Sequence, residues 1–183
     1  MAIPLLPSTS RVLNILAAVV LLFAGTTAQG GEATYADPAG HFTLAHPDDW
    51  KVAGSPGEVE LYGDRIASSM RFIVHPLEGL PTHDPDTLIE LMLEGMLTTY
   101  RDVERTGPKT ATLAGQTMTL IQFQGMSTRP ITVAREGALY LTTTGTHLVA
   151  ADYSIPQAAA AEILPQVEAV LESFTLADGN PGL

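Results

Sequence analysis

Apolar residues recur along this chain in three rhythms, and each predicts a different kind of element. The first is continuous: residues 12–24 (VLNILAAVVLLFA) are apolar apart from Asn14. The second is alternation, which marks strands with one buried side. It predicts short strands at 34–36 and 41–45, the latter with Phe42 and Leu44 on one side, and an extended piece starting at Trp50. Further strands fall at 58–62 and at 66–75, where Met70, Phe72 and Val74 point one way. It continues at 110–113 and 117–124, with Met118, Leu120 and a glutamine, Gln122 or Gln124, on one side. Ile121 and Phe123 lie on the other and are expected inside. Strands at 131–135 and 139–143 flank Glu136–Gly137, read as a hairpin turn. A last strand covers 147–153.

The third rhythm is the helical one. Residues 84–100 (DPDTLIELMLEGMLTTY) predict a helix with Asp84 as N-cap, Pro85 at its first position and Asp86 at the positive end of its dipole. Leu88, Leu91, Met92, Met96 and Tyr100 form its stripe, so Leu91 and Met92 are expected buried and Leu93 more exposed. Gly95, inside this helix, is explained by close packing against a sheet. A second helix lies within 156–173, with Ile163, Val167, Val170, Leu171 and Phe174 as its stripe. Pro165 makes it bend or begin nearby. Turn chemistry punctuates the pattern: 37–40 (DPAG) suits a type I turn, and Ala114–Gly115 a tight one. The order strands, helix, strands, helix, with short turns between the middle strands, gives an α+β fold. One mostly antiparallel central sheet is flanked by helices in an α/β/α sandwich.

The continuous run has a different meaning. Arg11 supplies a positive charge before it, and 25–29 (GTTAQ) follows with small residues at Thr26 and Ala28. Together these are the parts of a signal peptide, with cleavage expected after Ala28. The run is shorter than the roughly 20 residues that cross a bilayer comfortably. An uncleaved anchor over 12–27 is the competing reading. The expected organisation is a signal at 1–28, a flexible lead-in at 29–33, one domain at 34–176 and a disordered tail at 177–183. The location is then periplasmic or secreted, with no stable membrane span after cleavage.

Composition narrows the partners. The 183 residues include 20 Asp and Glu against 9 Lys and Arg. Such a negative field repels phosphate backbones and anionic headgroups, which argues against nucleic acid and against docking on charged lipid. There is no cysteine, so thiol catalysis and thiolate metal sites are excluded.

The remaining chemistry is sparse. Five histidines form no metal-protease signature, and no G-x-S-x-G elbow or phosphate-binding glycine loop is present. His46, Asp48 and Asp49 share one turn, and His83, Asp84 and Asp86 share a helix start. Either set has the ligand types for zinc, yet turns and helix starts use acids for their own reasons. Trp50, the lone tryptophan, is read chiefly as a core-edge residue, because Val52 two positions on should draw it inward. It is also the natural anchor of a contact site, with Tyr62, Arg65 and Arg71 as its polar rim.

Several short motifs together resemble one family. Residues 35–42 (YADPAGHF) and 46–52 (HPDDWKV) are similar to the opening hairpin and Pro-x-x-Trp element of PsbP-like domains. Residues 110–115 (TATLAG) with the following strand resemble their middle hairpin. Residues 139–153 and 163–174 resemble their late strand pair and final helix. The resemblance covers most of 34–176 and implies the α/β/α sandwich. The family includes an extrinsic photosystem II subunit and a nuclear protein that binds a small GTPase, and it shares no catalytic set. The chain is therefore expected to be a noncatalytic binding or accessory domain for an envelope or secreted protein. No catalytic residue, metal ligand or cofactor is assigned. The alternative is a metal-dependent enzyme or metal carrier built on the acid–histidine clusters.

Overall fold

The computed structural model describes residues 31–63, 68–129 and 131–177. The expected signal, the first two residues of the lead-in, nearly all of the tail and Arg65 lie outside them. The chain begins with strands β1 (Glu32–Ala36) and β2 (Phe42–Pro47), then β3 (Lys51–Ser55), β4 (Glu58–Gly63) and β5 (Ser68–Pro76). Helix α1 (Pro85–Leu97) follows. Four long strands come next: β6 (Tyr100–Leu113), β7 (Gln116–Ser127), β8 (Val133–Thr144) and β9 (His147–Pro156). A 3-10 turn at Gln157–Ala159 leads into α2 (Ala160–Ser173), and β10 (Thr175–Leu176) closes the chain.

The large sheet has seven strands in the order β3-β4-β5-β9-β8-β7-β6, and every neighbouring pair is antiparallel. A small sheet, β1-β2-β10, accompanies it. Alternate residues of the central strands feed two separate cores. On β9, Val149, Ala151, Tyr153 and Ile155 join α2 residues Ile163, Val167, Val170 and Leu171. Leu148 and Ala150 join α1 residues Leu88, Ile89 and Leu93. A sheet covered on both sides by helices is the sandwich that the element order predicted.

Turn residues set the register. Ala114 and Gly115 both have positive φ (50° and 73°), the two-residue hairpin geometry that matches strand twist. Between β3 and β4, Pro56 precedes Gly57 at φ 80°, the Pro-Gly order of a type II turn.

Several sequence expectations change. Residues 133–144 are one strand running through Glu136 and Gly137, so there is no hairpin there. Strand β6 begins at Tyr100, which is therefore not helical, and it runs to Leu113, beyond the strand expected at 110–113, with two register shifts. In α1, Leu93 is 1% exposed and Leu91 44%. The reason is that five of residues 88–93 are apolar, so the spacing alone admits two stripes; the sheet selects Leu88, Ile89 and Leu93. Gly95 has open space where a Cβ would stand, so close packing does not account for it. Asp84 and Pro85 do start the helix as expected, with Asp84 accepting from the Thr87 amide at 2.9 Å. In α2 the expected stripe is buried, and the helix starts five residues before Pro165. Leu93→Ala should cost about 2–5 kcal/mol, while Leu91→Ala should stay within roughly 0.5 kcal/mol. Paired urea titrations measure both. Equal losses would mean that α1 is rotated on the sheet.

One buried carboxylate ties the small sheet to the large one. Asp37, with its side chain fully buried, accepts from His41 N–H at 2.9 Å and from Gly57 N–H at 2.8 Å. The His41 ring lies 3.0 Å away. Burial alone would raise the Asp37 pKa, but the backbone amides of Gly57, His41 and Ala39 outweigh it and hold the carboxyl below its ordinary value. A depressed folded pKa gives stability that is complete above the unfolded pKa, near ~3.9. That stability is lost as pH falls through the folded value. Asp37→Ala should cost about 2–3 kcal/mol at neutral pH and flatten the acid limb of the stability curve. An unchanged acid limb would sink this account.

Candidate functional site

Helix α2 packs on β2 and β9 and leaves part of its side of the large sheet bare. There the register lines up two polar rows. Thr106, Gln122, Ala138 and Tyr153 stand side by side across β6, β7, β8 and β9. One step along, Glu104, Gln124 and Glu136 form the next row. Neighbouring strands lie about 4.8 Å apart, so each row is a graded line of side chains on one face. The two rows bound a trough of about 320 Å³, lined by Glu104, Thr106, Gln122, Phe123, Gln124, Glu136, Gly137 and Tyr153. This is the lower end of the range for small-molecule sites, roughly 300–1,000 Å³.

Tyr153 is the deepest polar group. It is 8% exposed and its ring belongs to the α2 core. No described residue hydrogen-bonds its hydroxyl. Burial, and then Tyr140, Glu136 and Glu168 around it, push its pKa up to about 12. The phenol therefore stays neutral at physiological pH, able both to donate and to accept. Gln122 is held from the side, its Oε1 accepting from Lys109 Nζ at 2.7 Å, which leaves its amide NH2 for the trough. Glu104 and Glu136 form no ion pair with any described residue.

Beneath the trough the sheet is closed from the other face. The Phe123 ring meets Tyr100 edge-on at 5.6 Å and lies where a side chain at Gly137 would stand. Tyr100 and Ser154 share a hydrogen bond of 2.5 Å between their hydroxyls. Arg135 donates to the Ser154 hydroxyl at 2.7 Å and to its carbonyl at 2.6 Å.

The residues singled out from sequence do not form one site. Trp50 is 7% exposed and belongs to the α2 core. Tyr62 and Arg71 alternate with Leu61, Met70 and Phe72 of that core, so they stand on the opposite, α1 side of the sheet. Arg71 is engaged there: its Nε and Nη2 reach Asp152 Oδ2 at 2.9 and 2.8 Å. Burial alone would lower the Arg71 pKa, and the Asp152 carboxylate reverses this and holds the guanidinium charged. Tyr62 is 40% exposed, and its hydroxyl donates to Glu60. The acid–histidine clusters are also otherwise occupied. The His46 ring sits 2.7 Å from the Pro47 carbonyl, and Asp84 caps α1. Among the described residues no group of three or more His, Asp or Glu could hold a metal ion. None of their helices is long and apolar enough to cross a membrane.

Sequence reasoning missed Tyr153, Glu104 and Glu136. The signal available was in 117–124, where two glutamines continue the side that Met118 and Leu120 begin. An apolar stripe that turns polar partway along a strand marks where its cover ends.

Known structures share this fold of a large antiparallel sheet between two helices, with a small three-stranded sheet beside it. The chain superposes on the cyanobacterial PsbP protein of Synechocystis sp. PCC 6803 with a TM-score of 0.57 and 16% identity, over 86% of this chain and 99% of that one. The Ran-binding protein Mog1p of Saccharomyces cerevisiae gives a TM-score of 0.51 and 12% identity, over 81% and 97%. A protein of Bacteroides thetaiotaomicron gives 0.52 and 13% over 82% of this chain, which spans about half (49%) of that protein. No family model and no curated protein matches the sequence. At these identities the likeness establishes the fold.

Proposed function

We propose that this chain is a noncatalytic binding or accessory domain that works outside the cytoplasm, in the periplasm or secreted, and that the trough on its β6–β8 strip is the contact site for an envelope or secreted partner. The observation that carries this is Tyr153, a largely buried residue lining a trough of about 320 Å³, whose hydroxyl has no hydrogen-bond partner among the described residues. A tyrosine packed this deeply usually finds a partner for its hydroxyl. An incoming group supplies what the fold withholds. The trough holds carboxylates, amides and hydroxyls, a set suited to holding a group by charge and hydrogen bonds. Export rests on the charged, apolar and small-residue sequence of 1–28. On the α1 side, Tyr62 with the partly exposed Arg71 is a second proposed contact.

Crosslinking in the intact envelope tests the reading. Thr106→Trp fills the trough from an exposed position on the edge strand. It should keep the wild-type melting temperature and abolish saturable crosslinking to the partner. Full crosslinking by this variant would remove the trough as the contact site. A protein retained in the cytoplasm with residues 1–28 intact would remove the export.

A further inference from the structure

From the donors and acceptors of the trough we infer the chemistry of its occupant: an organic cation, an alkylammonium or guanidinium group, held between Glu104 and Glu136 with the Tyr153 hydroxyl accepting from it below. This rests on the trough being the binding site.

Three observations converge. Glu104 and Glu136 flank Gln124 in one row, on the strands either side of β7. Neither is neutralised by a described cation. Lys109 is turned to Gln122, and Arg105, next to Glu104 along the strand, is turned to Glu90. Secondly, Tyr153 as a residue is 8% exposed, and its hydroxyl, which keeps access to the trough, has no described partner. It belongs to the adjacent row on the same face. Thirdly, most free valences in the trough are acceptors: two carboxylates, the Gln124 carbonyl and the hydroxyl oxygens of Thr106 and Tyr153.

A ligand for that set must bring several donors and a positive charge. An ammonium has three N–H donors and a guanidinium five, and hydrogen bonds between such groups and carboxylates are the strong ones. A bare metal ion fits worse, because the described residues gather no set of three acidic or histidine ligands. Anionic ligands are repelled by the same carboxylates. The charge can arrive on a free small molecule or on a lysine or arginine side chain of an exported polypeptide, and the chemistry is shared.

Calorimetric titration of the purified protein separates these. The probes are n-butylguanidinium, its neutral isostere n-butylurea, and a capped glycine pentapeptide with arginine at its centre. Saturable binding of n-butylguanidinium and none of n-butylurea is expected. Glu104→Gln and Glu136→Gln, which keep shape and lose charge, should each weaken binding about tenfold. Tyr153→Phe should weaken it several-fold, by about the worth of one hydrogen bond. Tighter binding of the peptide supports a polypeptide source, and equal binding supports a free cation. Equal affinity for the urea, wild-type affinity in both glutamine variants, or no saturation with either cation would overturn the inference. If n-butylguanidinium fails but Thr106→Trp still abolishes crosslinking, the trough remains the contact site and only the cation falls. If the crosslinking is also indifferent to Thr106→Trp, the trough is not a site at all.

Discussion

Gly137→Ala should destabilise the protein by about 3 kcal/mol or more, although it adds a single methyl. The position is extended backbone in the middle of β8, between β7 and β9, so no unusual φ is at stake. The obstacle is space. A Cβ at residue 137 would lie closer than 3.0 Å to the Tyr153 carbonyl oxygen and to the Phe123 ring edge. The carbonyl belongs to the paired strand and cannot turn aside without breaking the ladder. The ring is 2% exposed and held edge-on by Tyr100. Either response disturbs the base of the trough. Urea unfolding followed by far-UV circular dichroism measures the loss. Stability within about 0.5 kcal/mol of wild type would show that the sheet accommodates the methyl and that the glycine is incidental.

Trp50→Ala should cost about 3–5 kcal/mol, and Trp50→Phe much less. The indole enters the α2 core directly from the turn at 47–50, closed by the Trp50 N–H to Pro47 carbonyl bond of 3.1 Å. Gly63 stands beside it, where a Cβ would lie in ordinary contact with the indole at 3.5 Å. Val170, Leu171 and Phe174 are members of the same core. The burial agrees with the sequence reading but its stated reason does not: Val52 is 40% exposed at the sheet edge. Native fluorescence should be blue-shifted and move red on unfolding. Emission already at the solvent value, together with a stable alanine variant, would make Trp50 a surface group.

What the sequence revealed follows from how many alternatives each pattern allowed. Helix α2 and its C-cap have large apolar residues at 163, 167, 170, 171 and 174, with only Leu164 off that line, so one stripe was available and it is the buried one. In α1 nearly every residue from 88 to 93 is apolar, and the choice lay with the sheet. Gly137 was misread because glycine after an acid usually means a turn. Here the missing side chain serves a neighbour's ring, and that neighbour is fourteen residues away in sequence. The site was least legible. Its members come from four strands, and they meet only because β6, β7, β8 and β9 are in one register. Tyr153 looked like one more apolar position of β9, and what distinguishes it is its place in the row of Thr106, Gln122 and Ala138, which no linear pattern records.

The small sheet decides how the domain answers a pull on its ends. Gly31 leaves beside Asp48, at one end of β2, and Ala177 leaves beside His41, at the other. Strands β1 and β10 flank β2 and both run antiparallel to it. Tension between the two termini is therefore directed along β2, in opposite senses on its two sides. The five paired positions of β1 and β2 share such a load in shear and must yield together. The two positions of β10 offer less, and they are backed by Phe174, whose ring is wedged against Phe42 at 5.4 Å and Phe72 at 4.9 Å. Force would thus open the C-terminal end first, by drawing out one aromatic ring. The four strands that build the trough lie in the other sheet and keep their register while it happens.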